Sequence, residues 1–160
     1  MQKYKIEIKW ALIFVAVSLV WMGLERAAGL HSVHIDKHAI YTNLFALPAI
    51  GVYVLALLDK RQNYYQGSMN YKQGFMTGLW ITVIITVLTP LTQYLIAALI
   101  SPEYFTNAIA YAVMEEKMTQ AAAENYFSLR SYIIQGLIGA PVMGLVTTAI
   151  LALFTKRGSS

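Results

Sequence analysis

The sequence predicts an all-α polytopic membrane protein: four transmembrane helices with a helical extracytoplasmic excursion between the third and the fourth. Three observations carry that expectation. Of the 160 residues, 58% are apolar and only 12% are charged, about half the charge of an ordinary soluble domain. The uncharged positions gather into four runs, Trp10 to Leu24, Ala39 to Leu58, Gln73 to Pro102 and Ser131 to Thr155. Cysteine is absent, so no disulfide framework can replace a packed core. A disordered tail, a disulfide scaffold and an ordinary soluble enzyme are thereby excluded.

A helix rises 1.5 Å per residue and the hydrocarbon layer is about 30 Å thick, so a span needs roughly 20 apolar residues. The second and fourth runs meet this directly and predict spans over 39–58 and 131–155. The first run is short, so its helix is expected over 8–27, with Lys9 and Glu25 snorkelling or lying at the headgroups. The third, over 73–100, is long enough to tilt, bend or protrude. The tail 158–160 is set aside.

Lys and Arg resist translocation and set orientation. Lys3, Lys5, Lys9, Lys60, Arg61, Lys72, Lys156 and Arg157 lie on one side, against Arg26, Lys37, Lys117 and Arg130 on the other. Eight against four predicts both termini in the cytoplasm. A cleavable signal peptide is disfavoured, because Glu25 and Arg26 stand where small residues should line the cleavage site.

Between the second and third spans, DKRQNYYQGSMNYK reads as a basic, aromatic turn at the membrane surface, suited to anionic lipid and not to nucleic acid. The excursion over 101–130 is expected to form a helical hairpin: Ser101 before Pro102 reads as a cap, and Thr119 before Gln120 and three alanines starts a second helix.

No ionisable group lies deep in a run, which disfavours charge-coupled transport. The polar and small residues instead form stripes. On the third span Gly78, Thr82, Thr86, Thr89 and Gln93 share one side; on the fourth Gly136, Ala140 and Gly144 recur every fourth residue, with Thr147 and Thr148 continuing. Small residues let helix backbones approach in lipid, so the two stripes are expected to meet. Pro48, Pro90 and Pro141 should each interrupt a span, with Thr86 and Thr89 relieving the break at Pro90. Thr42, Asn43, Thr92, Gln93 and Gln135 sit toward the outer side. They raise a polar cavity open to the outer leaflet, with Asn43, Gln93 and Gln135 as candidate ligand-binding residues.

His31, His34 and His38 form HSVHIDKH in the first outer loop, a candidate metal site with zinc as the ion. Offsets of three and seven put all three on one side of a helix. Yet His31 and His38 would be separated by about 10.5 Å along a straight axis, while a zinc ligand atom lies about 2 Å from its ion. A pair such as His31 with His34 could bind with help from Glu25, Asp36 or the other outer loop, and an irregular loop could bring in the third ring. No Walker loop, dinucleotide fingerprint, GxSxG or HExxH occurs, so an enzyme reading lacks a defensible nucleophile.

Taken in order, KYKIEIKWALIF, GLHSVHIDKHAIYTNLFALPAIGVYV, ALLDKRQNYYQG, MNYKQGFMTGL, TPLTQY, SPEYF and NYFSLRSYIIQGLIGAPVMG give the chain a resemblance to a bacterial membrane family catalogued as domain of unknown function 4199. The resemblance covers nearly the whole length. It implies a four-helix inner-membrane protein with its termini inside and transfers no catalytic residue. The leading functional expectation is a structural or accessory envelope protein, self-associating or bound to another membrane protein and in contact with membrane lipid. A small ligand-binding or transport module and an outer-face metal-binding protein are the alternatives.

Overall fold

The computed structural model describes residues 4–158. Its elements, in chain order, are α1 (Lys5–Ala27), α2 (Ile35–Tyr41), a 3₁₀ turn (Thr42–Phe45), α3 (Ala46–Asn63), α4 (Tyr71–Leu95), a π turn (Ile96–Ile100), α5 (Tyr104–Met114), α6 (Gln120–Tyr126) and α7 (Leu129–Thr155). Four continuous helical stretches are long and apolar enough to cross a bilayer: α1, the run Ile35–Asn63, the run Tyr71–Ile100, and α7. The chain is a multi-pass, all-α membrane protein. Its apolar surface fits a lipid environment, with Leu47, Val87 and Phe154 at least 70% exposed.

Local chemistry sets the helix starts. Asn70 and Gln73 form a reciprocal capping box at α4, each side chain meeting the other's backbone N–H at 2.9 Å. The Thr119 hydroxyl accepts from Ala122 N at the start of α6, and that of Ser128 from Ser131 N at α7. Ser101 behaves differently from its expected role as a cap. Helix α5 begins only at Tyr104, its N-cap position is Glu103, and the buried Ser101 side chain turns to His31.

The α4 and α7 stripes meet, as the most extensive helix pair in the molecule. Gly78 faces Thr148, Gly144 faces Thr82 and Gly136 faces Thr89. Glycine on one helix thus receives threonine from the other in both directions. At the next step Gly74 lies over Ala152, where an added Cβ would come within 3.4 Å of the alanine methyl. Small residues allow this approach where lipid offers no hydrophobic drive for helix association. The threonines hide their hydroxyls by donating one turn back: Thr77 to Gln73 O, Thr82 to Gly78 O, Thr86 to Thr82 O and Thr89 to Ile85 O. The expected relief of the Thr86 carbonyl beneath Pro90 is therefore not what Thr86 and Thr89 provide.

Because the Thr82 hydrogen is committed to Gly78, Tyr53 of α3 donates to Thr82 Oγ1 at 2.7 Å. Around this bond Ala11, Tyr53, Ala56, Ile81 and Ile85 form the core. Pro48 falls in the first turn of α3, directly after the 3₁₀ turn. There its missing N–H is tolerated, so Pro48 is a helix-start residue and not the expected break within the span.

At the end of the bundle that carries both termini, Glu7 and Lys60 are buried together at 2.8 Å. Asp59 receives Lys9 and, at 2.6 Å, the Trp10 indole N–H. Arg61 donates to the Thr155 carbonyl at 3.0 Å. Met69 and Arg157 exchange backbone hydrogen bonds at 3.0 and 2.8 Å, which ties the tail to the α3–α4 turn.

Candidate metal centre and adjoining cavity

At the opposite end, where α5 and α6 lie, three donor atoms converge. Glu25 occupies the last turn of α1 and is buried. The chain then reverses through Gly29, whose φ of +77° favours glycine; a Cβ there would also press Val33 at 2.8 Å. This reversal returns the buried His31 to the carboxylate it has just left. His38 arrives from within α2. His31 Nε2 lies 3.2 Å and His38 Nε2 3.3 Å from the same atom, Glu25 Oε2. The other carboxylate oxygen is held by the Trp21 indole N–H at 2.5 Å.

The far side of each ring is also fixed. His31 Nδ1 lies 2.9 Å from Ser101 Oγ, and His38 Nδ1 lies 3.5 Å from the Tyr104 hydroxyl. Tyr104 in turn meets the Tyr132 hydroxyl at 2.9 Å. Burial pushes the Tyr104 phenol above its ordinary value, with the Glu25 carboxylate adding to the rise; at neutral pH it stays protonated. Asn107 of α5 donates to the His31 carbonyl at 2.9 Å and so locks the turn against the excursion. Within this network His38 Nε2 is shut off from solvent without hydrogen-bond geometry to any partner.

The π turn explains how Ser101 reaches His31. Ser101 N bonds back to Ile96 O at 2.8 Å, five residues behind, so the wider turn rotates the end of the third pass. π turns of this kind are frequent at functional sites.

Two chambers lie against the cluster. The upper one, about 290 Å³, is bordered by His38, Gln93, Ser101, Tyr104, Tyr132 and Gln135. The lower one, about 240 Å³, is bordered chiefly by apolar groups, among them Phe14, Trp21, Phe45, Ile85 and Ala140. Met22, Thr42, Gln93 and Ile96 line both. The space lies between the 3₁₀ turn and the facing part of α7.

A family model described as a protein of unknown function (DUF4199) matches residues 9–157. The chain belongs to that family. No curated protein and no solved structure matches this DUF4199 chain, so its site is read from geometry alone.

Of the residues the sequence singles out, the fold brings His31 and His38 together and leaves His34 exposed, at the N-cap position of α2. Glu25 completes the group, all three donor atoms lying within 4.8 Å of one another. Gln93 and Gln135 both border the upper chamber, whereas Asn43 is exposed and donates to its own helix at Ala39 O, 2.7 Å away. Gln135 donates to Ser131 Oγ at 2.9 Å. No local pattern marks Trp21, Ser101, Tyr104 or Tyr132 as neighbours of the histidines; the nearest hint is Glu25 standing alone at the end of an apolar run.

Chemically, two imidazole nitrogens and a carboxylate oxygen form a borderline-soft donor set suited to zinc. Ligands about 2.0–2.1 Å from a tetrahedral ion are separated from one another by roughly 3.3 Å, close to the two distances observed. Ser101, His31 and Glu25 also stand in the order hydroxyl, imidazole, carboxylate. An acyl-transfer site additionally needs N–H donors facing the nucleophile. The N–H of Ser101 is engaged by Ile96 O and that of Tyr104 by Ser101 O, so a ligand role for His31 fits better than a role as base.

Proposed function

We propose that this DUF4199 protein resides in the bacterial cytoplasmic membrane, with both termini in the cytoplasm, and holds a zinc-class divalent ion at its outer end through Glu25, His31 and His38. The observation that carries the reading is the meeting of two histidine Nε2 atoms on one carboxylate oxygen, in a shell that closes His38 Nε2 off from solvent. Partners on the far nitrogens support it, because metal-bound histidines almost always use their second nitrogen to fix ring orientation. The Ser101 and Tyr104 hydroxyls can donate or accept. Each ring can therefore present a bare Nε2 to the ion while Nδ1–H donates to the hydroxyl. Orientation follows from the cation excess on the side of the termini.

A structural or accessory envelope role remains the alternative; self-association through small-residue faces loses support, because Gly78, Gly136 and Gly144 are taken up by the α4–α7 seam.

The test is metal binding by detergent-purified protein after chelation. Wild type and His34→Ala should each take up about one zinc per chain and give the intense visible absorption of tetrahedral Co(II). His31→Ala, His38→Ala and Glu25→Gln should bind at least tenfold more weakly. Equal zinc affinity in wild type and all three of those variants would end the reading.

A further inference from the structure

The paired chambers have a shape and a polarity gradient that identify an occupant. From Ser101 down to Ile85 they follow the π turn and the end of α4 for roughly 20 Å, and each has a volume of 240 to 290 Å³. Taken together they fall within the roughly 300–1,000 Å³ of ordinary small-molecule sites, drawn out along one helix. A space this long and narrow suits one flexible chain. Its lower wall is Phe14, Phe45, Ile85 and Ala140; its upper wall is His38, Tyr104, Tyr132 and Gln135.

Gln93 stands where the two chambers join. Its neighbours Thr89 and Thr92 donate to carbonyls of their own helix, but the Gln93 amide makes no side-chain hydrogen bond among the described residues. Gln93 is only partly exposed, and an amide left unsatisfied away from water is costly. The amide's free donor and acceptor therefore face a cavity with an apolar floor.

We propose that the joined chambers bind a single-chain acyl amphiphile drawn from the surrounding bilayer, its tail against Phe14 and Ile85 and its oxygen-bearing head at Gln93 and Tyr132. The upper chamber shares His38 with the metal group, though not Glu25 or His31, so the lipid test is run with the metal removed. A free fatty acid and a lysophospholipid share the required chemistry.

Trp21 borders the lower chamber and Trp80 lies at the other end of the bundle, so quenching by brominated lipid separates the site from the general surface. Two single-tryptophan forms are prepared in detergent with EDTA present: Trp10→Phe/Trp80→Phe, which keeps Trp21, and Trp10→Phe/Trp21→Phe, which keeps Trp80. Each is titrated with dibromostearate and, in a parallel arm, with a dibrominated lysophosphatidylglycerol. Saturable quenching of Trp21 near one lipid per chain in either arm, with Trp80 quenched only in proportion to lipid in the micelle, supports the proposal, and the responding arm names the head. Gln93→Leu should weaken the saturable phase about tenfold, and Ala140→Phe, which fills the floor, should remove it. Should Ala140→Phe fail to fold, Gln93→Leu carries the test. Trp21 quenching that follows the Trp80 curve in both arms overturns the proposal, as does saturable quenching that Gln93→Leu leaves unchanged. Because chelator is present throughout, failure here leaves the zinc measurement intact, and failure of zinc binding leaves this one intact.

Discussion

Gly78 of α4 faces Thr148 of α7 so closely that a Cβ on the glycine would overlap the threonine side chain. The same relation recurs in reverse one turn along, between Thr82 and Gly144. The register of the two helices is thus fixed by paired notches and knobs.

Gly78→Ala and Gly144→Ala should each destabilise the protein by about 1–3 kcal/mol, the usual cost of overpacking. Gly139→Ala is the control, since nothing lies within 4 Å of its missing Cβ; it should be neutral or stabilising by up to about 1 kcal/mol. Thermal unfolding in detergent followed by circular dichroism reads all three. Adding Thr148→Gly to Gly78→Ala should recover much of the loss.

Two ion pairs at the terminal end should behave oppositely. Lys60→Met leaves the buried Glu7 carboxylate without its cation, which costs about 3–5 kcal/mol, whereas Glu7→Met/Lys60→Met should come close to wild type. Lys9 is half exposed, so Lys9→Ala should cost under about 1 kcal/mol. Chemical denaturation of the four proteins checks the ordering.

Ser101→Ala removes the partner of His31 Nδ1. It should lower the unfolding midpoint by the equivalent of about 1–3 kcal/mol and weaken zinc binding by about 10–100-fold, as measured by competition with a chromophoric chelator. A fluorophosphonate probe should leave Ser101 unlabelled in wild type. Covalent labelling at Ser101 would instead favour the nucleophile role.

The absence of native cysteine makes topology directly measurable. A cysteine at Met114, on the exposed end of α5, should react with an impermeant maleimide in intact spheroplasts. One at Gly158 should react only after lysis. The reversed pattern would invert the orientation and place the histidine cluster in the cytoplasm.

The number of passes was legible because a bilayer imposes one length and one polarity on every segment that crosses it. The α4 and α7 stripes were legible as well, since small residues at helical spacing have few uses in lipid besides close packing. Caps were read less evenly: Thr119 stands where its local pattern puts it, while Ser101 does not, because a buried histidine competes for its hydroxyl.

The sequence by itself determined the solvent, the passes and the faces on which they meet, all set by neighbours a few positions apart. Only tertiary structure decided that His31 and His38 share Glu25 while His34 is left outside. That selection depends on the reversal at Gly29 and on the π turn beneath Ser101, two local departures from regular helix. Each redirects side chains supplied by segments as far as 76 positions apart, and no periodicity in the chain encodes such a meeting.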